Sequence, residues 1–271
     1  MKKEVIHKCP ICSNDSGILD RVPTINLDEK EKVELRCCHG CGHWWHSPIP
    51  SQAELNEMYH AASPFVVSAG AKETYQNKNT LDNFQRYVIK HNCKKSGNYL
   101  EIGAGGGYLL RYFRSMNYNC YGVDPGQWVD DSSIVKRINE IPEELKFDII
   151  ILQDVLEHIF DPVGLINEIK NKARDGSSFF CSFPCNDSRS ARIFKGKWAM
   201  VRPYGHLHYF SFNSTKKMFS DAGLMIQDMR LEQITPIYKP LLALNIRWFL
   251  YELIKGGRDQ MYLTANYVRP S

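Results

Sequence analysis

Tyr99-Leu-Glu101-Ile-Gly103-Ala104-Gly105-Gly-Gly107-Tyr108 is the stretch on which the fold turns. An apolar run of strand length enters a glycine-rich turn, and the turn opens an amphipathic segment. Glycines there let the backbone approach a ligand closely, and the helix start offers unpaired N–H donors. A dinucleotide fingerprint would need glycine at 108, where Tyr108 stands. Glu101, just before the turn, suits a cationic ligand better than a pyrophosphate.

Working outward, the chain from Asn98 alternates short apolar runs with amphipathic segments, the pattern of βα units on a parallel sheet. Strands are expected at 99–102, 120–123, 148–152, 178–183, 224–229 and 261–268, with helices at 108–116, 162–172 and 214–222. Asp161-Pro162 reads as an N-cap followed by proline at the first helical position. The expected fold class is therefore α/β, Rossmann-like, with helices on both faces. Asp124, followed by Pro125, ends the second strand about 20 residues beyond the glycine loop, where a carboxylate can accept ribose hydroxyls. A further helix is expected at 240–256, ending at Gly256-Gly257 and inserted before the last strand. It would serve either as a lid or as a homodimer contact.

The first fifty residues have a different logic. Cys9-Pro-Ile-Cys12 and Cys38-His-Gly-Cys41 form two CxxC pairs on either side of a polar stretch that can return as a hairpin. Four thiolates can close a tetrahedral shell around zinc, leaving no open position for water, so such a zinc is structural. So short a segment buries little core, and the metal would supply its folding energy. The chain is thus divided into a zinc-ribbon-like module at 1–50, a helical lid or linker at 51–96 and a Rossmann-like domain at 97–271. Within the linker, Ser51-Gln-Ala-Glu54 reads as a capping box, and 72–93 as an amphipathic helix.

Composition bounds the rest. The 271 residues carry a formal net charge of +4, too mild to demand a polyanionic partner. No apolar run approaches the ~20 residues needed to span a bilayer, and the N-terminus lacks the apolar core of a signal peptide. The nine cysteines are accordingly expected in a reducing cytoplasm, without a membrane partner.

Several motifs together resemble one bacterial family, the class I S-adenosylmethionine-dependent methyltransferases that carry an N-terminal CxxC…CxxC module. The glycine loop is similar to that group's (D/E)xGxGxG pattern. Residues 38–60, CHGCGHWWHSPIPSQAELNEMYH, resemble the segment joining module to enzyme. Residues 147–162, FDIIILQDVLEHIFDP, resemble its post-strand turn, and Gly205-His206-Leu-His208-Tyr-Phe210-Ser211 its final signature, with Gly205 where an acidic residue is usual. The resemblance implies S-adenosylmethionine bound by Glu101, Gly103, Ala104, Gly105, Asp124, Pro125 and Gln153, under a lid formed by the 51–96 region.

His206 is the candidate general base, because imidazole titrates near working pH; His208 is the second choice. Asp154, Glu157 and His158 fall at i, i+3 and i+4 and would share one face of a helix. They read as a hydrogen-bonded turn flooring the site, with the divalent-ion set of some similar quinone O-methyltransferases as the alternative. The loop 185–204 carries Arg189, Arg192, Lys195, Lys197 and Arg202, which suits an anionic acceptor as well as it suits a solvated loop. Trp198 and Tyr204 would either stack on substrate or anchor the core. The expected acceptor is a small phosphate- or carboxylate-bearing molecule, such as a sugar nucleotide or phosphorylated glycan precursor. Two rivals are an RNA methyltransferase gripping nucleic acid through the zinc module, which the missing aromatic-and-basic patch in 1–50 disfavours, and a non-catalytic scaffold.

Overall fold

A computed structural model of the chain describes residues 3–23, 32–51, 53–55, 57, 96–126, 131–232 and 259–269. Most of the 51–96 linker and the whole 240–256 helix lie outside the described residues.

The larger sheet contains β6 (Gly97–Ile102), β7 (Tyr118–Val123), β8 (Ile134–Val135), β9 (Phe147–Gln153), β10 (Ala173–Pro184), β12 (Leu224–Glu232) and β13 (Gln260–Tyr267). Their spatial order is β12-β13-β10-β9-β6-β7-β8. The strands from β8 through β10 run parallel, while β13 pairs antiparallel with both β10 and β12. The strand order reverses between β6 and β9, which puts the ligand crevice at the carboxyl ends of those two strands.

The period of two in the strands explains the two packed faces. On one face Tyr99, Ile149, Ile151 and Phe180 pack with Leu109, Leu110 and Phe113 of α1 (Tyr108–Ser115). Phe113 stacks on Tyr99 with ring centroids 4.1 Å apart, and truncating such a buried ring costs about 3–5 kcal/mol. On the other face Leu100, Ile102, Ile150 and Leu152 pack with Ile166 and Ile169 of α2 (Pro162–Lys170) and with Met218 and Phe219 of α4 (Phe212–Asp221). Asp161 caps α2 by accepting from the Gly164 N–H, and Ser211 caps α4 in a reciprocal box with Ser214.

The N-terminal residues build a second sheet. β2 (Ser16–Pro23), β3 (Lys32–Cys38) and β4 (Trp44–Ser47) are antiparallel, and the fourth strand is β11 (His208–Tyr209), in the order β11-β4-β3-β2. This sheet therefore crosses the boundary expected at residue 50. A short ladder joins β1 (Lys3–Glu4) to β5 (Ile49–Pro50).

The loop 185–204 has structure of its own. Ser188 caps the short helix α3 (Arg189–Phe194), and Trp198 and Ala191 bury against Leu35, Trp44 and Tyr209. Tyr204 buries against Val22 and Val33. Both aromatic residues are thus core anchors of the 185–204 loop on the four-stranded sheet, not stacking platforms for a substrate. The basic side chains of the same loop remain exposed.

Candidate active site

Three turns meet at the carboxyl ends of the parallel strands. After β6, the Gly103 N–H donates to the Val123 carbonyl at 2.8 Å, with Ala104 N–H on the same oxygen at 3.2 Å. The glycine turn is thereby fastened to the end of β7. Gly103 (φ 74°) and Gly105 (φ 50°) both take left-handed backbone, which explains glycine at each. A Cβ at Gly103 would meet the Val155 side chain at 2.6 Å, whereas one at Gly105 would meet nothing within 4 Å. Gly105 therefore presents bare backbone to open space.

Asp124 is buried beside this turn. One carboxylate oxygen accepts from the Gly105 N–H at 2.7 Å and the other from the Gly126 N–H at 2.8 Å. Each oxygen keeps a second lone pair for a ligand. Pro125 is exposed at the rim, and Gln153 is half-buried at the end of β9.

Glu101 is 6% exposed, and its Oε2 has no hydrogen-bond partner among the described residues. Burial pushes its carboxyl well above the usual carboxylate range, and the Asp124 charge adds to this. A buried carboxylate with an orphaned oxygen beside a second acid is the arrangement a cationic ligand would relieve. The residues present thus fit S-adenosylmethionine, which has an ammonium, a sulfonium and ribose hydroxyls but no phosphate.

The turn after β9 differs from the expected helical face. Asp154 takes a positive φ of 52°, and Leu156–His158 form a single 3-10 turn. The Gln260 side chain hydrogen-bonds the Asp154 carboxylate. Asp154 keeps an exposed face, yet the surrounding protein desolvates the carboxyl enough to push its pKa up to about 6. Glu157 is 1% exposed, and burial raises its pKa well above the usual range.

The loop before β11 is latched onto this turn. Leu207 N–H donates to the Glu157 carbonyl at 2.7 Å, and His158 Nδ1 lies 2.6 Å from the Gly205 carbonyl. That latch brings His206 against His158, with edge-to-face rings 4.8 Å apart. His206 Nδ1 lies 2.8 Å from the Met200 carbonyl. A carbonyl only accepts, so Nδ1 carries the hydrogen and Nε2 keeps its lone pair. Burial lowers the His206 pKa to about 3, with His158 and Arg202 adding to the shift.

His208, the second-choice base, is placed elsewhere. It is fully buried against the N-terminal sheet, its Nδ1 3.1 Å from His43 Nε2. Its position on β11 commits it to the junction between the sheets.

At the far end of that junction the four cysteines converge. The sulfurs of Cys9 and Cys41 are 3.6 Å apart, and Cys12 lies 3.4 Å from both Cys38 and Cys41. Sulfurs on one tetrahedral zinc stand ~3.8 Å apart, given Zn–S bonds of ~2.3 Å. Backbone N–H groups of Ile11, Gly40 and Cys41 point at the sulfurs of Cys9 and Cys38, as a thiolate-zinc knuckle requires. The donor set fits a closed zinc shell.

Comparison with known proteins bears on the fold and on the family of the larger domain. The family model described as a methyltransferase domain matches residues 73–228, more than half of the chain. A search of curated proteins gives no match. Among solved structures, the 1,6-didemethyltoxoflavin-N1-methyltransferase of Burkholderia thailandensis, with bound 1,6-didemethyltoxoflavin and S-adenosylhomocysteine, is similar at 13% identity and a TM-score of 0.57. That match covers 92% of this chain and 100% of the other. The magnesium protoporphyrin IX methyltransferase of Synechocystis PCC 6803, with bound S-adenosylhomocysteine, is similar at 14% identity and a TM-score of 0.55, over 80% of this chain and 100% of the other. At such identities the likeness speaks for the fold. No helix among the described residues is long and apolar enough to cross a membrane. The chain belongs to the methyltransferase-domain family and is an S-adenosylmethionine-dependent methyltransferase.

Proposed function

We propose that the enzyme methylates a small anionic acceptor, a sugar nucleotide or another phosphorylated glycan precursor, held between the β9 turn and the His206 loop. The carrying observation is the orphaned Glu101 oxygen, buried next to Asp124 and the open face of Gly105. Glu101 would take the ammonium end of S-adenosylmethionine and Asp124 the ribose. Gly103, Ala104 and Gly105 would line the approach, with Pro125 and Gln153 at the rim. When bound, the cofactor supplies an electrophilic methyl group on a sulfonium.

The chain's own work is orientation and proton removal. His206 Nε2 is the free lone pair on the acceptor side, held in place by the Met200 carbonyl. Its low pKa keeps it neutral and ready to accept at working pH. The same burial makes it a weak base in the empty site, so an anionic acceptor beside it would strengthen it. Arg202 is the cation of the basic loop whose charge is felt at both His158 and His206, and it supports the choice of an anion. Cys9, Cys12, Cys38 and Cys41 would hold one structural zinc. The N-terminal sheet, completed by β11, packs Leu35, Trp44 and Tyr209 against Trp198 of the 185–204 loop, which fits a wall of the enzyme better than a nucleic-acid grip or a docking scaffold.

The test is release of S-adenosylhomocysteine against a panel of phosphorylated sugars, their unphosphorylated counterparts and mixed RNA. Turnover confined to the phosphorylated members supports the reading. Equal turnover of the neutral sugars, or turnover of RNA alone, overturns it.

A further inference from the structure

A carboxylate oxygen of Glu157 and one ring nitrogen each of His158 and His206 lie within 4.8 Å of one another. The 3-10 turn after β9 supplies the first two residues and the loop before β11 the third, and the Leu207-to-Glu157 hydrogen bond joins the segments. Both imidazoles give the Nδ1 hydrogen to a backbone carbonyl, His158 to Gly205 and His206 to Met200. Each Nε2 therefore holds a lone pair and no hydrogen. Glu157 is 1% exposed, and its Oε2 has no hydrogen-bond partner among the described residues. Burial and the Asp154 charge both oppose its ionisation, a penalty that a cation beside it would remove.

The spacing selects the cation. Three acceptors around one ammonium, each ~2.9 Å from nitrogen at tetrahedral angles, stand ~4.7 Å apart. Donors on a tetrahedral metal ion at ~2.1 Å stand only ~3.4 Å apart, and the edge from Glu157 Oε1 to His158 Nε2 is already 3.9 Å. A hydroxyl has one hydrogen and would serve one of the three groups, whereas a primary ammonium has three. The side chain of His158 is 27% exposed, so the cluster opens on the cleft at that corner. Arg202 is exposed on the same loop as His206, and its charge acts on both imidazoles. Its guanidinium suits a phosphate, so the two halves of the site fit a cation and an anion carried by one molecule.

Resting on the phosphorylated-acceptor reading above, we propose that this acceptor bears a primary amine, whose ammonium is received by Glu157, His158 and His206 and whose nitrogen is methylated. The ammonium gives one proton to His206 Nε2, which keeps its role as the base. Turning about the C–N bond aims the freed nitrogen lone pair at the methyl carbon. The new N–C bond forms as the C–S bond breaks, and that electron pair stays on sulfur. The products are a methylated ammonium and S-adenosylhomocysteine, with one proton on His206 for release to solvent. Glu157 binds the ammonium and offsets its charge in a buried place.

Calorimetric titration of the full chain saturated with S-adenosylhomocysteine tests this with matched probes. These are glucosamine 6-phosphate, glucosamine 1-phosphate and UDP-glucosamine, each beside its hydroxy and its N-acetyl counterpart. At least one amino compound should bind about tenfold or more tighter than both counterparts, as expected for a charge-assisted hydrogen bond to a buried group. Glu157→Gln should abolish that preference, and His158→Gln, at a partly exposed position, should reduce it. Unchanged affinity for S-adenosylhomocysteine certifies the fold of both variants. The proposal is overturned if hydroxy or N-acetyl compounds bind as tightly as the amino ones, if no amino compound binds, or if both variants keep the preference. Tight binding confined to hydroxy sugar phosphates sinks the amine and leaves the phosphorylated-acceptor reading standing, whereas glucosamine bound as tightly as its phosphates sinks that reading and keeps the amine.

Discussion

His46 Nδ1 lies 3.0 Å from the backbone carbonyl of His206. The strand that follows the four-cysteine cluster thereby holds the residue assigned to the acceptor side. The pairing of His208 with Trp45 and Tyr209 with Trp44 runs beside it, and Ser211 Oγ and Asn186 Nδ2 donate to the carbonyls of Cys41 and Gly42.

This connection gives the zinc proposal a kinetic consequence. Stripping zinc with a chelator, or Cys12→Ser, should lower kcat about tenfold or more by loosening β4 and the His206 loop. Affinity for S-adenosylhomocysteine should change little, since Gly105 and Asp124 belong to other turns. Metal analysis should find zinc in the wild type and its loss in Cys12→Ser. Stoichiometric zinc retained in Cys12→Ser would refute the ligand set, and an unchanged kcat on zinc removal would refute the coupling.

Stability should fall on the acid side. Burial lowers His46 and His208 to about 4 from an ordinary 6.5. The unfolded chain then binds more protons between those values, so the stabilisation is complete above about pH 6.5 and is lost as pH falls through 4. Each histidine accounts for on the order of 3 kcal/mol over that range. Thermal melts from pH 7.5 to 4.5 should show a falling Tm, with a shallower fall in His208→Gln. An unchanged slope in that variant would argue against the burial account.

His206→Ala should leave cofactor affinity nearly unchanged and lower the methyl-transfer rate by about 10²–10⁴-fold. The loss should shrink with rising pH if the acceptor ionises by itself. Single-turnover rates across pH decide this. Full turnover in the variant, or failure to bind cofactor, would make His206 structural.

Much of the larger sheet could be read from the chain, because Tyr99, Ile149 and Phe180 alternate with core residues of the opposite face and the glycine turn announces a helix. The N-terminal sheet could be read only in part. His208 and Tyr209 pair with Trp45 and Trp44 across more than 160 positions, and a two-residue strand leaves no periodicity. The doubled tryptophan between His43 and His46 was the available signal: so much apolar surface beside a metal module needs a partner. Trp198 and Tyr204 were ambiguous because they sit among exposed cations. The meeting of Glu157 and His158 with His206 depends on the latch to Leu207 and Gly205, which spacing alone does not reveal. The positive φ of Asp154 likewise broke the helical face its spacing suggested.

The central claim is that the turn after β6 and the carboxylate after β7 form the S-adenosylmethionine site. Calorimetric titration of S-adenosylhomocysteine, with a nicotinamide dinucleotide as comparison, tests it most directly in the wild type and in Asp124→Ala. The expected result is one S-adenosylhomocysteine per chain, with affinity reduced about 10–100-fold in the variant, the worth of a charge-assisted hydrogen bond of roughly 1.5–3 kcal/mol. Tighter binding of the dinucleotide, or equal affinity for S-adenosylhomocysteine in the two proteins, would contradict it.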